Sequence, residues 1–152
     1  VVRPTSIYGF GITYDKMVRR FLAIAETGGV IELTQPVHDR VDLVHAADIS
    51  RAVVAILQKD FWDIFNISSG NPISIKELAE ECVKCTRRGS VSISGETTLG
   101  YKPAIRYSLN TERAKSCLGW LPEIDIQRGM NMILQEKVLA PSSTSQLERG
   151  NE

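Results

Sequence analysis

The residues whose types and spacing could do chemistry are few. Cys82-Val83-Lys84-Cys85 is a C-x-x-C pair, but no second pair completes a four-ligand zinc site, and Cys117, His38 and His45 are the only other soft ligands. The pair falls within a helical pattern, where Cys82 reads as a small buried hydrophobe and Cys85 as a residue near the helix end. His45 stands between an apolar strand-like run and a helix, a place where an imidazole could serve as acid or base. No carboxylate or nucleophile has telling spacing around it, so the reading is a structural histidine. Gly9-Phe10-Gly11 opens like a dinucleotide loop, yet Tyr14 occupies the place of the third glycine. P-loop, G-x-S-x-G and H-E-x-x-H motifs are absent from the sequence, so phosphoryl-transfer, α/β-hydrolase and zincin chemistry have no support.

The elements that must position any such residues follow an alternating plan of short β-like runs and helical patterns, the signature of an α/β fold. Val1-Val2 reads as a strand that passes through Pro4 and the Gly9/Gly11 loop into a helix from about Tyr14 to Glu26. Met17, Val18, Phe21, Leu22 and Ala25 form that helix's apolar stripe, and Gly28-Gly29 stops it. Val30 to Leu33 and Arg40 to His45 read as strands. A helix from about Ala47 to Lys59 follows, with Asp48 in its first turn. Asp63 to Ile67 is expected to be a strand ending in the Ser68-Ser69-Gly70 loop. Ser74-Ile75-Lys76-Glu77 spells a capping box that starts a helix reaching about Arg87. Val91 to Ser94 alternates as a strand. Asn110 caps a short helix that runs through Cys117 and closes at Gly119, and Asp125 caps a last helix from Ile126 to about Val138. Residues 1–139 form the folded body, and residues 140–152, rich in Ser, Gln, Glu and Gly, are expected to be a disordered tail.

Composition bounds the function. The 152 residues are 43% hydrophobic and 24% charged, a globular balance. Eighteen basic residues match eighteen acidic ones, leaving no global field to gather nucleic acid or an anionic membrane. The longest apolar run, Ala52 to Leu57, is far short of the roughly 20 residues that span a bilayer. Three cysteines do not make a disulfide framework, and a reducing cytoplasm is the expected location. The chain opens without Met on Val1-Val2-Arg3-Pro4, which reads as the inside of a strand.

Four segments in order then carry a family resemblance. VVRPTSIYGFG (Val1 to Gly11) is similar to a strand and loop of the form R-P-x-N-V-Y-G-P-G. VDLVHAADISRAV (Val41 to Val53) is similar to R-D-F-V-H-V-D-D-V-A-R-A, and FNISSGNPISIKELAE (Phe65 to Glu80) to Y-N-I-G-S-G followed by S-I-x-E-L. LNTERAKSCLGWLPEIDIQRGM (Leu109 to Met130) is similar to D-T-S-K-A-x-x-x-L-G-W-x-P-x-x-x-L-x-x-G-L. Together they resemble the C-terminal half of the extended short-chain dehydrogenase/reductases, the NAD(P)-dependent nucleotide-sugar epimerases and dehydratases. The resemblance implies the last part of a Rossmann-type doubly wound fold plus a small α/β substrate-binding domain.

It also implies which residues to watch. The family's Tyr-x-x-x-Lys pair lies upstream of the R-P-x-N-V-Y-G segment. Here Tyr8, Tyr14, Tyr101 and Tyr107 are followed four positions on by Ile12, Val18, Ile105 and Thr111, so no such pair exists. No catalytic residue and no metal ligand is therefore expected in this chain. NAD(P) is expected for the intact enzyme and no cofactor for the chain alone. Pro4 and Thr5 fall on the nicotinamide side of the pocket, and Ser6 replaces the family's sugar-contacting Asn. The position of the family's diphosphate-gripping Arg is Val41, one residue from Arg40, which would serve only if a bulge turned it. Asn66, at the strand end near the nucleotide, either meets ligand or caps backbone. Arg106, with Lys102, could supply a second phosphate-binding cation. The expected partner is a nucleotide-sugar, with no nucleic acid and no membrane, and with self-association possible through an exposed sheet edge. The alternative is a non-catalytic scaffold or interaction domain derived from the same fold.

Overall fold

A computed structural model describes residues 1–9, 16–60, 62–96, 100–102 and 108–139. Its strands are short and pair in four two-stranded ladders, three parallel and one antiparallel. β1 (Val2–Pro4) and β2 (Ser6–Tyr8) are one run of chain interrupted at Thr5, and α1 (Met17–Glu26) follows. β3 (Val30–Thr34), β4 (Arg40–Val41) and β5 (Leu43–His45) lead into α2 (Ala46–Lys59). Then come β6 (Phe65–Ile67), β7 (Ile73–Ser74), α3 (Ile75–Thr86), β8 (Ser90–Ser94), a π-helical turn (Ala114–Leu118) and α4 (Ile126–Leu139). β1 runs parallel to β6, β2 to β5 and β3 to β8, while β4 and β7 are antiparallel.

Two cores divide the molecule. One gathers Phe21, Leu22 and Ala25 of α1, Ile31 and Leu33 of β3, Leu78 and Cys82 of α3 and Met130 of α4. The other joins Val44, Ala52, Phe65, Ile67, Leu118 and Trp120. Each helix presents a stripe of the expected period to one of them. The local signals act as the sequence indicates. Ser74 Oγ accepts the Glu77 amide at 3.1 Å while the Glu77 carboxylate accepts the Ser74 amide at 2.8 Å. Asn110 and Asp125 accept the amides of Glu112 and Arg128 at 2.9 and 2.8 Å. Gly119 ends the π turn at φ 68°, a conformation that an L side chain rarely adopts.

Three expectations change. The single strand expected over Arg40 to His45 is two, broken at Asp42, whose fully buried carboxylate is drawn to groups far along the chain. The strand expected from Asp63 starts at Phe65, and the Asp63 carboxylate instead accepts the neighbouring Ile64 amide at 2.7 Å. β2 and β7 are strands that two or three residues of sequence do not announce. The expected helix start at Tyr14 and the expected disordered tail lie outside the described residues.

Candidate active-site half

The site is built where β2 and β5 run side by side in parallel, along β2 and at the start of β5. Asp42, in the gap between β4 and β5, organises the layer behind it. Its carboxylate accepts five hydrogen bonds, from Thr5 Oγ1 (3.4 Å), Ser68 Oγ (2.5 Å), Ser69 N (3.0 Å), Ser69 Oγ (2.7 Å) and Gly70 N (3.2 Å). The Thr5 amide also donates to the Ile67 carbonyl at 3.0 Å. One buried carboxylate thus fixes the β1–β2 junction and the loop after β6 together, which explains the Ser-Ser-Gly composition of that loop.

In front of this layer a cavity of about 170 Å3 is lined by Ser6, Tyr8, Lys16, Val41, Leu43 and Leu78, among others. Ser6 contributes a hydroxyl and Lys16 an exposed ammonium to an otherwise apolar lining. Leu43 also borders a second cleft, of about 310 Å3, rimmed by Ser69, Asn71, Glu123 and Asp125.

Tyr8 closes the cavity without being free to react. Its hydroxyl donates to the Asp125 carbonyl at 3.0 Å, and its ring meets His45 edge to face with centroids 5.1 Å apart. Burial, reinforced by the charges of Asp125 and Asp48, pushes the phenol far above its ordinary value, so it stays protonated in neutral solution. Gly129 makes this placement possible, because a Cβ there would approach Tyr8 Oη to 2.2 Å. His45 acts on the backbone: its Nδ1 accepts the Ala47 amide at 3.2 Å and caps α2. That is the structural role read from its position.

Cys82 is fully buried, with Sγ 3.9 Å from Met130 Sδ, and burial pushes its thiol up to about 12. Cys85 is also raised, first by burial. Neither thiol is poised as a nucleophile at neutral pH. Among the described residues no group of three or more His, Cys, Asp or Glu could hold a metal ion.

Of the residues singled out from sequence, Thr5 and Ser6 come together at the strand junction, the first facing Asp42 and the second the cavity. Pro4 ends β1 opposite Ile67. Arg40 does not join them. Its guanidinium donates to the Pro72 carbonyl at 2.6 and 3.2 Å and pairs with Glu77 at 3.4 Å, while Val41 and Leu43 line the cavity. Asn66 lies on β6 and donates to the Asn110 carbonyl at 3.1 Å, the backbone-capping option. Arg106 lies outside the described residues. Sequence reasoning missed Asp42 and Lys16. The only local sign of Asp42 is an acid inside the apolar run Val41 to Val44, and its Ser68–Gly70 partners lie more than 25 residues away.

No family model matches the chain. The fold is Rossmann-type: the UDP-glucose 4-epimerase of Thermotoga maritima, solved with UDP-glucose, superimposes with a TM-score of 0.71 at 20% identity. The match covers 92% of this chain and 46% of that one. Further solved neighbours carry NAD or NADPH in their complexes. In sequence, the UDP-glucuronate 4-epimerase of Thermodesulfobacterium geofontis is 26% identical over 132 residues, 86% of this chain and 40% of that protein. The chloroplast stem-loop binding protein of 41 kDa b from Arabidopsis thaliana is 28% identical over 140 residues, 85% of this chain and 37% of that protein. The resemblance to part of an extended short-chain dehydrogenase/reductase therefore holds in both sequence and fold, and the chain spans less than half the length of these relatives. No helix among the described residues is long and apolar enough to cross a membrane.

Proposed function

We propose that this chain is the nucleotide-sugar-binding side of an NAD(P)-dependent sugar epimerase, dehydratase or reductase. The observation that carries the reading is the cavity along β2 and the start of β5, framed by Ser6 and Lys16, in a fold shared over nine-tenths of the chain with an epimerase solved with UDP-glucose. In this reading the Ser6 hydroxyl bonds the sugar or its phosphate, and Lys16 supplies positive charge beside it. Pro4 and Thr5 shape the nicotinamide side. Arg106 is a further phosphate-binding candidate, whereas Arg40 and Asn66 would first have to leave the Pro72 and Asn110 carbonyls they now hold.

The chain's own residues do not by themselves fit a dinucleotide. Gly9-Phe10-Gly11 lacks its third glycine, the Thr5 hydroxyl is turned to Asp42, and the Tyr8 hydroxyl is turned to Asp125. In the intact enzyme NAD(P) would supply the redox chemistry at a sugar carbon; this chain contributes sugar-nucleotide binding and not the proton-transfer group. Titration calorimetry of the chain with UDP-glucose and dTDP-glucose tests the proposal. Saturable binding is expected, weakened by Ser6→Ala and more by Lys16→Ala, since a charge-assisted hydrogen bond is worth about 1.5–3 kcal/mol. Silence toward both nucleotides overturns it.

A second reading, a non-catalytic interaction domain on the same fold, draws support from the Arabidopsis relative, whose name describes binding and no reaction. A chain that ignores sugar nucleotides but forms a stoichiometric complex with a macromolecule would select it.

A further inference from the structure

We infer that the cavity along β2 is a sugar pocket selective for a 6-deoxy sugar, one with a methyl group where a hexose carries a hydroxymethyl, and that the apolar floor and wall of the cavity set this preference. The inference rests on the functional reading above and names the kind of sugar that its site would take.

The first observation is how polarity is graded across the cavity. Lys16 is exposed and Ser6 half-buried, whereas Tyr8 and Val18 are 2% exposed and Leu78 0%. Val41 and Leu43, both half-buried, complete the wall. Tyr8 offers its ring and not its hydroxyl, which points to Asp125 and Gly129, neither of them a lining residue. The side chains that can answer a hydrogen bond are therefore at the mouth, and the floor is hydrocarbon.

The second observation is size. At about 170 Å3 the cavity is smaller than the roughly 300–1,000 Å3 of sites that enclose a whole drug-sized ligand, so a nucleotide-sugar enters only in part. The diphosphate of such a ligand is attached at carbon 1 of the sugar, and Lys16, the one cationic side chain in the lining, is exposed. A diphosphate held at Lys16 stays at the mouth and sends the ring in by its opposite end. That end carries carbon 4 and, through carbon 5, the exocyclic carbon 6.

The preference follows from the groups each sugar brings to the floor. A hydroxyl on carbon 6, turned onto Val18 and Leu78, gives up its water partners and meets no replacement, which is costly. A methyl group in the same place gives up no hydrogen bond and buries apolar area. Ser6 can serve one of the remaining hydroxyls, and no other neutral side chain in the lining presents a hydroxyl or amide to the cavity.

Titration calorimetry of the full chain with dTDP, dTDP-glucose and dTDP-6-deoxyglucose tests the inference, because the two sugars share one base and one configuration and differ only at carbon 6. The 6-deoxy sugar is expected to bind about 10- to 100-fold more tightly than glucose, and more tightly than dTDP alone. Val41→Thr keeps the branching and adds a hydroxyl to the wall, and should narrow that ratio several-fold. Leu43→Gln, a second wall position, should narrow it too and serves if Val41→Thr fails to fold. Ser6→Ala should weaken both sugars alike and leave the ratio unchanged. Equal affinity for the two sugars, tighter binding of glucose, or sugars held no better than dTDP would each overturn the inference and leave the functional reading standing. A preference that neither wall variant alters would overturn its assignment to the apolar lining. Silence toward all three ligands would overturn the functional reading itself.

Discussion

Asp42 and Asp48 are six residues apart, both fully buried, and are satisfied in opposite ways. Asp42 accepts hydrogen bonds from three hydroxyls and two amides, all neutral groups. Asp48 accepts the Arg51 guanidinium at 2.7 Å and the amides of Glu123 and Ile124, and its backbone carbonyl takes Trp120 Nε1 at 2.9 Å. The first ties together strand ends that frame the cavity. The second fastens the segment from Trp120 to Ile124 onto α2. A hydroxyl can turn and accept where it had donated, whereas a guanidinium or a backbone amide cannot. The Asp42 carboxylate is therefore held by three adaptable partners and two fixed ones, and the Asp48 carboxylate by fixed partners alone.

Substitutions can break that contrast, the largest effect first. Asp48→Ala strands a guanidinium and two amides, and should cost about 3–5 kcal/mol in urea unfolding at unchanged slope. Asp48→Asn keeps the shape but presents an amide N–H to Arg51, with an expected loss of about 2–3 kcal/mol. Asp42→Asn should cost about 1–2 kcal/mol: the Ser68, Ser69 or Thr5 hydroxyl can reverse to accept the new N–H, while one backbone amide, Ser69 at Oδ1 or Gly70 at Oδ2, is left facing it. Equal costs for the two Asn variants would remove the distinction between adaptable and fixed partners.

The pH dependence extends the comparison to groups without charge in the folded state. Tyr8 and Cys82 both have raised folded values, so their contribution is full below the unfolded values, near 10.0 and 9.0, and is lost as pH rises through the folded ones. Alkaline unfolding should begin above about pH 9, and Cys82→Ala should flatten its early part even as it lowers stability at neutral pH. The smallest effect belongs to Glu77, an exposed acid. The Ser74 backbone amide, with Arg40 a lesser contributor, holds its carboxyl below the ordinary value of 4.5. That stability is present above about pH 4.5 and lost as pH falls through the folded value; Glu77→Gln should remove this acid limb and cost a few tenths of a kcal/mol after solvent screening.

What the sequence made legible was local. The Ser74–Glu77 box, the Asn110 and Asp125 caps and the Gly119 stop each depend on groups within about four residues, and each acts as its pattern indicates. The four family motifs likewise led to the right fold because they follow one order along the chain. Asp42 was not legible, since its partners arrive from two other stretches and nothing at Val41 or Leu43 specifies them. The Arg40 question turned on one residue of register. Val41 and Leu43 keep the alternation on the cavity side, and Arg40 lies against Pro72 and Glu77. Lys16 escaped notice because its place beside Ser6 depends on how α1 approaches β2, which no short motif encodes.

Tyr8 and Gly129, 121 positions apart, occupy what is effectively a single volume. A Cβ on Gly129 would come within 2.7 Å of the ring carbon Cζ as well as reaching the hydroxyl, so shortening Tyr8 to Phe would not make room for it. Only a change that empties the ring's place altogether would free position 129 to carry a side chain. The two sites therefore share one degree of freedom: tolerance at either is set by the other, and combined substitutions there should depart strongly from the sum of the single ones.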